Sequence, residues 1–451
     1  MKRKYLGLLL IAALVTLGGR PLFSLAQDRY AELQNFSKIL NLVQQYYVEE
    51  VDTKKLVTGA IKGMLKELDP HTNYMAADIF KDFESETAGE FGGIGIEISI
   101  QNGILTIISP IEDTPAWNAG IKPGDKIVAI DQQSTKGFTL VEASALLKGK
   151  NGTKIVLSVI RDGQEKPLDI MITRGVVKIK SIKTANLEDG YIYVRITSFI
   201  ENTSNDLQKA LKNYKEKNGG KIEGILIDLR RNPGGLLDQA IRVSDMFLKD
   251  GVIVSTIGRD QKNKEVNSAT KKALYPDVPI VILINEFSAS ASEIVAGALQ
   301  DNKRAVVVGE RSFGKGSVQS VIRLGDGSGL KLTVARYYTP NGTSIQSEGI
   351  RPDIEIEDVD AEIFAKAVNK SKGMREKDIS GHLKGEKEKL SEKKRSDVPS
   401  MEKNAVAWWK DIGSKKDADL SEKEKLFKSD YQAYQAFSYL KAWKAMKSLT
   451  K

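Results

Sequence analysis

The sequence predicts a multidomain protein of the α/β and β classes: a layered α/β core, a small β domain inserted before it, and helical arms at both ends. Three observations lead there. Apolar residues recur at helical spacing in 28–68 and again in 420–447. Short β-branched runs between glycines fill 91–174. From 190 to 357, apolar strand runs alternate with amphipathic helical stretches, the pattern of βαβ units.

At the N-terminus, Lys2, Arg3 and Lys4 precede a short apolar run, Leu6 to Leu17. Ser24-Leu25-Ala26 then offers the small residues a signal peptidase inspects. Residues 1–26 are expected to be an export signal cleaved after Ala26. An uncleaved anchor is the alternative, although the run is shorter than the ~20 residues of a spanning helix. Either case puts the remaining chain outside the cytoplasm, in a bacterial periplasm or cell envelope, and the anchored case keeps it membrane-proximal.

Residues 27–80 form the first helical arm. Leu33, Phe36, Leu40, Val43 and Tyr47 share one stripe, and Leu56, Ile61, Met64 and Leu68 another; Asp69-Pro70 ends the unit. The β domain at 91–174 reads as "IGIEISI", "ILTIIS", "KIVAID", "KIVLSVIR" and "PLDIMIT", with one helical stretch, "TLVEASALLKG". The core spans 181–358 together with part of 75–90. Residues 360–419 are a lysine-rich tail or linker. The last arm, 420–451, is an amphipathic helix carrying Leu426, Phe427, Tyr431, Tyr434, Phe437, Leu440 and Trp443. Neither arm has an obvious place in the core. Self-association through one or both is expected, as a homodimer or higher homo-oligomer, with folding back on the same subunit as the alternative.

Composition removes several function classes. The 451 residues are 41% hydrophobic, enough for real cores. The net charge of +9 is spread among many acidic residues, which does not make a nucleic-acid binder. There is no cysteine, hence no thiol nucleophile and no thiolate metal site. The only histidines are His71 and His382, far apart in sequence, which argues against a Ser-His-Asp triad or a zinc centre. No metal and no cofactor are expected.

Chemistry concentrates in three loops. "NEFSASASEIVAG" (285–297) places Ser288, Ser290 and Ser292 between the buried strand "VPIVILIN" and a helix. Such a turn exposes a side chain beside the free N–H groups of the helix start. It suits a nucleophile, and it also suits plain N-cap serines. "FGKGSVQ" (313–319) sets Lys315 between two glycines after the strand "AVVVGE". A lysine there is ordinarily solvated; in a desolvated site its pKa falls and the neutral amine can take a serine proton. "ILIDLRRNPGGLLDQA" is strand, glycine turn, helix, where Gly234 and Gly235 can offer N–H groups to a developing oxyanion or simply make a turn.

These blocks resemble the carboxyl-terminal processing peptidases, also called tail-specific proteases. "SASASEI", "GKGSVQ" and "DLRRNPGG" match that family's signatures. "GGIGIEI" and "PAWNAGIKPGDKIVAID" are similar to its inserted PDZ domain, and "LDPHTNYM" to the block before it. The resemblance covers 28–357. It implies a crotonase-like or ClpP-like layered core and a serine–lysine dyad: Ser290 as nucleophile, Lys315 as general base and Gln319 orienting the amine. The N–H of Ala291 and of Gly234 or Gly235 would form the oxyanion hole. Ser288 and Ser292 keep turn and cap roles.

In the PDZ-like domain, N–H groups from Gly93, Ile94, Gly95 and Ile96 can form a nest for a free carboxylate. An extended peptide can join the strand beginning at Ile96. Leu140 and Leu147, on the stretch 139–148, would line the groove. The reading is an exported serine endopeptidase that recognises C-terminal ends of extracytoplasmic proteins. Its substrates would be proteins or peptides with exposed apolar C-termini; an activating adaptor is a further candidate partner, and no nucleic acid is expected. The alternative is a catalytically silent PDZ scaffold at the cell envelope.

Overall fold

The structure, a computed structural model, describes residues 20–359, 415 and 417–449, apart from residues 112, 162, 165 and 189. Most of the expected export signal and of the lysine-rich stretch lies outside these residues.

The N-terminal arm is two helices, α1 (Arg20–Tyr46) and α2 (Thr53–Lys66). Asp52 starts α2 by accepting the N–H groups of Lys54 and Lys55, which have no partner inside the helix. Of the expected apolar stripe, Leu33, Phe36 and Tyr47 are exposed and Leu40 and Val43 half-buried, and Ile39 and Leu42 beside it are exposed as well. Strand β1 (Asn73–Met75) and helix α3 (Ala77–Thr87) lead into β2 (Glu90–Gly93).

The inserted domain contains β3 (Ile96–Gln101), β4 (Ile104–Pro110), β5 (Lys126–Ile130), β6 (Gln133–Ser134), α4 (Leu140–Leu147), β7 (Lys154–Ile160) and β8 (Leu168–Thr173). Its sheet runs β3-β4-β5-β7-β8, with β6 on β5, so β3 is an edge. Leu105, Ile107, Ile127, Ile155, Leu157 and Ile172 make a core of its own. The chain leaves along β9 (Gly175–Lys178), antiparallel to β2, so the way in and the way out form one two-stranded ribbon.

The layered α/β core begins with β10 (Ile182–Glu188), β11 (Tyr191–Ile196), α5 (Thr203–Lys217), β12 (Gly224–Asp228) and α6 (Leu237–Asp245). It continues with β13 (Val252–Gly258), β14 (Lys264–Ser268), β15 (Ile280–Ile284), α7 (Ala291–Asp301), β16 (Val306–Gly309), β17 (Ser317–Arg323), β18 (Gly329–Tyr338) and β19 (Ile354–Glu355). One sheet has the order β10-β11-β12-β15-β16-β19 and is parallel from β11 onward. The other is antiparallel, with β17 and β1 both paired to β18.

Strands covered on both faces need apolar residues at every position. "GILID" of β12 and "IVILI" of β15 are buried throughout. Their alternate residues serve two layers. Ile225, Ile227, Ile280 and Ile282 pack with α5, α6 and α7. Leu226, Val281 and Leu283 face the other way, onto α8 (Glu422–Ser429) and α9 (Tyr431–Leu449) through Phe427, Ala433, Ala436, Phe437 and Leu440.

Of the two expectations for the C-terminal stripe, the structure has the second: Phe427, Phe437 and Leu440 pack on their own subunit. The cause is the parallel sheet. With α5–α7 on one face, the opposite face of β11, β12, β15 and β16 would meet water without α8 and α9.

Candidate active site

Adjacent parallel strands end at the same edge of a sheet, and ligand sites collect there. Here β12, β15 and β16 are neighbours. The three chemistry-bearing loops, 229–236, 285–290 and 310–316, follow those three strands. The sheet order alone therefore brings them together.

The serine turn is built by side chains that point away from solvent. Ser288 Oγ accepts the Asn285 N–H at 3.0 Å and donates to the Leu229 carbonyl at 2.8 Å. Ser292 Oγ donates to the Asn232 carbonyl at 3.0 Å, which also accepts the Ala289 N–H. Both serines are fully buried and tie this turn to the loop after β12. Ser290 differs. It is half-buried and sits at φ 54°, ψ −112°, immediately before α7. A positive φ on a residue with a Cβ costs about 1–3 kcal/mol and persists only where the surroundings enforce it. Strand, strained serine and helix start is the geometry that presents a nucleophilic hydroxyl at a sheet edge.

A residue absent from the sequence reasoning does the enforcing. Glu293, three positions into the turn, is fully buried. Its Oε2 accepts the N–H of Ser290 at 2.7 Å and of Lys315 at 2.9 Å. Its Oε1 accepts the Ser312 hydroxyl and the Gly314 N–H, each at 2.6 Å. One oxygen atom thus links the backbone of Ser290 to that of Lys315. Burial pushes the Glu293 carboxyl above its ordinary range, and the four donors pull it back. Its available signal was the spacing Ser-x-x-Glu at a helix start.

The glycines beside Lys315 are needed for close approach. A Cβ on Gly316 would lie 2.3 Å from the Gln346 nitrogen, and Gly314 has φ +90° against the backbone of Ser347 and Gly349. Lys315 itself is half-buried. Burial holds its amine below the ordinary lysine value; the charge of Lys331 on β18 lowers it further, while Glu293 and Asp69 oppose. Among the described residues the amine donates no hydrogen bond. Gln319, expected to orient it, instead donates its amide to Ser317 Oγ at 2.9 Å and makes no hydrogen bond to Lys315. The cause is register: Gln319 lies within β17 opposite Thr333 and turns its amide toward the strand's start.

His71, distant in sequence, is near in space. Burial, and then the charge of Lys315, lower its pKa. It does not complete a triad, because the Asp69 carboxylate is spent on the His71 and Thr72 N–H groups and the Thr72 hydroxyl rather than on the imidazole.

The glycine pair now separates. Gly234 is buried, and its N–H donates to Asn232 Oδ1 at 2.9 Å. A Cβ there would lie 2.8 Å from Ser290 Cβ and 2.9 Å from the Ala291 nitrogen, so Gly234 is the contact that lets the two loops touch. Gly235 is exposed, with φ +140°. Neither its N–H nor that of Ala291 has an acceptor among the described residues. Gly235 and Ala291 are therefore the available donors for a developing oxyanion, with Gly234 as spacer.

In the inserted domain, Ile94 and Gly95 donate no hydrogen bond to described residues, while their carbonyls accept from Ala116 and Ile111. Gly95 has φ +79° and no room for a Cβ, which would meet Thr114 at 2.4 Å. Two free N–H groups thus open beside the edge strand β3, with Gly93 and Ile96 flanking them. Leu140 on α4 is exposed, but Leu147 is buried in the domain core and does not line an open groove. Leu147 is the last residue of α4, and there it joins Ile94 and Ile155 in the domain core.

Comparison with known proteins gives the family. Residues 190–356 match peptidase family S41, 92–172 match a PDZ domain, and 23–79 match the activating protease CtpB N-terminal domain. A carboxy-terminal-processing protease of Bartonella bacilliformis is 46% identical over 383 residues, 85% of this chain and 87% of that one. The carboxy-terminal processing protease CtpA of Bacillus subtilis is 37% identical over 72% of this chain and 69% of its own. Among solved structures, a photosystem II D1 C-terminal processing protease is 30% identical, with a TM-score of 0.45, over 71% of this chain and 92% of that one. With such identity across most of both sequences, the chain belongs to the carboxy-terminal-processing proteases of peptidase family S41 and carries their PDZ domain.

Proposed function

We propose that the protein is a serine endopeptidase that reads free C-terminal ends through its PDZ domain and cleaves with a Ser290–Lys315 dyad. The observation that supports this most is the Glu293 carboxylate, whose Oε2 receives the N–H groups of both Ser290 and Lys315. In this reading Ser290 Oγ attacks the scissile carbonyl carbon and its proton passes to the neutral Lys315 amine. The carbonyl oxygen, now negative, takes the N–H groups of Ala291 and Gly235. Collapse of the tetrahedral species breaks the C–N bond, and the lysine proton leaves on the amine. Water, deprotonated by the same amine, then releases the acyl group from Ser290.

A neutral-amine base has a pH signature. The rate depends on unprotonated Lys315, so kcat/KM rises with pH through a pKa below that of ordinary lysine. Lys331→Met removes a neighbouring positive charge and moves that limb to higher pH. His71→Gln leaves the limb in place. Profiles of kcat/KM against pH on the three proteins check this, and disappearance of the limb with His71 would make the imidazole the base.

Tail reading is tested with one unstructured peptide in free-acid and amidated forms. The free acid is expected to have the lower KM by about tenfold, the scale of one charge-assisted contact to backbone donors. Gly95→Val, which forces a branched side chain into φ +79° against Thr114, removes that difference. Cleavage of both forms at equal KM in wild type rules out carboxylate recognition, and binding without cleavage makes the protein a scaffold.

A further inference from the structure

The C-terminal helix does more than cover the sheet. Its first turn reaches the root of the loop that carries Gly234 and Gly235. Asp430, between α8 and α9, accepts Arg230 Nη1 at 3.0 Å on Oδ1 and Arg230 Nη2 at 2.5 Å on Oδ2. Gln432 Oε1 accepts Nη1 at 2.9 Å and its amide donates to the Ile356 carbonyl at 2.7 Å. The other edge of the guanidinium holds Asp228, with Nε on Oδ1 at 3.0 Å and Nη2 on Oδ2 at 2.7 Å. Tyr193 OH donates to the same carboxylate. Asp228 is fully buried, while the side chains of Arg230 and Asp430 are 12% and 20% exposed. Two planar carboxylates thus clamp one planar cation, the arrangement that fixes geometry as well as charge.

What the clamp fixes is the catalytic edge. Arg230 lies between Leu229, whose carbonyl receives the Ser288 hydroxyl, and Arg231, whose N–H donates to Asn285 Oδ1 at 3.0 Å. Four residues on stands Gly234, in contact with Ser290. We propose that Asp430 is a positioning residue for hydrolysis, acting through Arg230 to hold the Gly234–Gly235 segment against the nucleophile turn. The α8–α9 unit, which follows the catalytic lysine by about a hundred positions in sequence, is then a working part of the active site. This rests on the serine–lysine reading above.

The test uses the full chain and an unstructured free-acid peptide. Asp430→Asn keeps a helix-capping oxygen and loses the charge that holds Arg230. Its kcat is expected to fall about tenfold to a hundredfold, the cost of misplacing donors by a fraction of an ångström to an ångström, with KM within twofold. Phe437→Leu loosens the same helix without touching Arg230, and should lower Tm while keeping kcat. If Asp430→Asn loses its native circular dichroism, Asp430→Glu carries the test: the charge stays, the carboxylate moves by one methylene, and kcat falls at least threefold at unchanged KM. A kcat within twofold of wild type in the folded Asp430 variant overturns the proposal. So does an equal kcat loss in Phe437→Leu, which would make the helix a mere stabiliser. Ser290→Ala separates the two readings: if it retains wild-type hydrolysis, the dyad itself is wrong and the positioning role falls with it.

Discussion

Ser290→Ala and Lys315→Ala each lower kcat/KM on an unstructured peptide by about 10⁴-fold or more, and the double variant is no worse than either single one, because a nucleophile and its base act as a unit. Lys315→Arg does not rescue, since a guanidinium stays protonated and cannot accept the serine proton. Lys315→Met adds a stability readout with a definite sign. The folded-state pKa of Lys315 lies below its unfolded value, for reasons of burial first and Lys331 second. Between those two pKa values the unfolded chain binds more protons than the folded one, so stability rises with pH across that window. At neutral pH, where the unfolded lysine is charged, burying this amine is therefore a cost to folding. Methionine, of similar length and uncharged, removes that cost, so Lys315→Met has a Tm equal to or above wild type while hydrolysis is lost. Thermal unfolding followed by circular dichroism at pH 7, beside the peptide assay, measures both. A Lys315→Ala variant with wild-type turnover ends the base assignment.

The parts of the site that a sequence reader can find are those whose signals are local. The turn at Ser290 is legible because an unbroken apolar strand is followed by a helical period, with small polar residues between. The same contrast marks 229–236 and 310–316, and three such turns in one alternating α/β stretch point to one sheet edge. The layered core and the inserted β domain are legible for the same reason, since their periods of 3.6 and 2 differ visibly.

What stayed hidden depends on contacts made across the chain. Glu293 reads as the acid of an ordinary solvated capping box; only the arrival of Ser312, Gly314 and Lys315 buries it. Gly234 and Gly235 are equivalent as letters, and a side chain two residues back, Asn232, decides which N–H is spent. His71 reaches Lys315 because β1 pairs with β18, some 250 positions later, beside β17. The aromatic stripe of α8 and α9 is visible in sequence, but its destination is not: an apolar helix face fits a partner subunit or a bare sheet equally well. Leu140 and Leu147 share one face of α4 two turns apart, so spacing alone does not tell which end of that face stays open and which the domain core covers.

The second large effect belongs to Glu293. Its four donors come from two loops, and each buried donor left without an acceptor costs about 1–3 kcal/mol. Glu293→Leu strands all four, a loss comparable with the whole stability of a domain, and is expected to yield little folded protein. Glu293→Gln is the informative change, because its amide keeps one oxygen. If that oxygen stays with Ser290 and Lys315, the NH₂ group meets the Ser312 hydroxyl, which can turn to accept, and the Gly314 N–H, which cannot. If the amide is reversed, two backbone donors from the nucleophile and base positions face a third donor. In both arrangements at least one loop must move, and the first has the lower cost. The variant therefore folds, and the Gly314–Lys315 segment shifts relative to Ser290. Misplacement of a base by about an ångström costs about 10²-fold. The expected result is a kcat lower by about that factor with KM within threefold, since strand β3 and the Gly95 turn, the proposed peptide-reading edge, lie in another domain. Serine-directed fluorophosphonate labelling slows in parallel, because Ser290 loses activation while remaining in place. Glu293→Gln with a kcat within threefold of wild type would show that the two loops hold their relation without the carboxylate, and the link between the elbow and the lysine would have to be sought in Phe313, whose N–H donates to the Ser288 carbonyl at 3.0 Å.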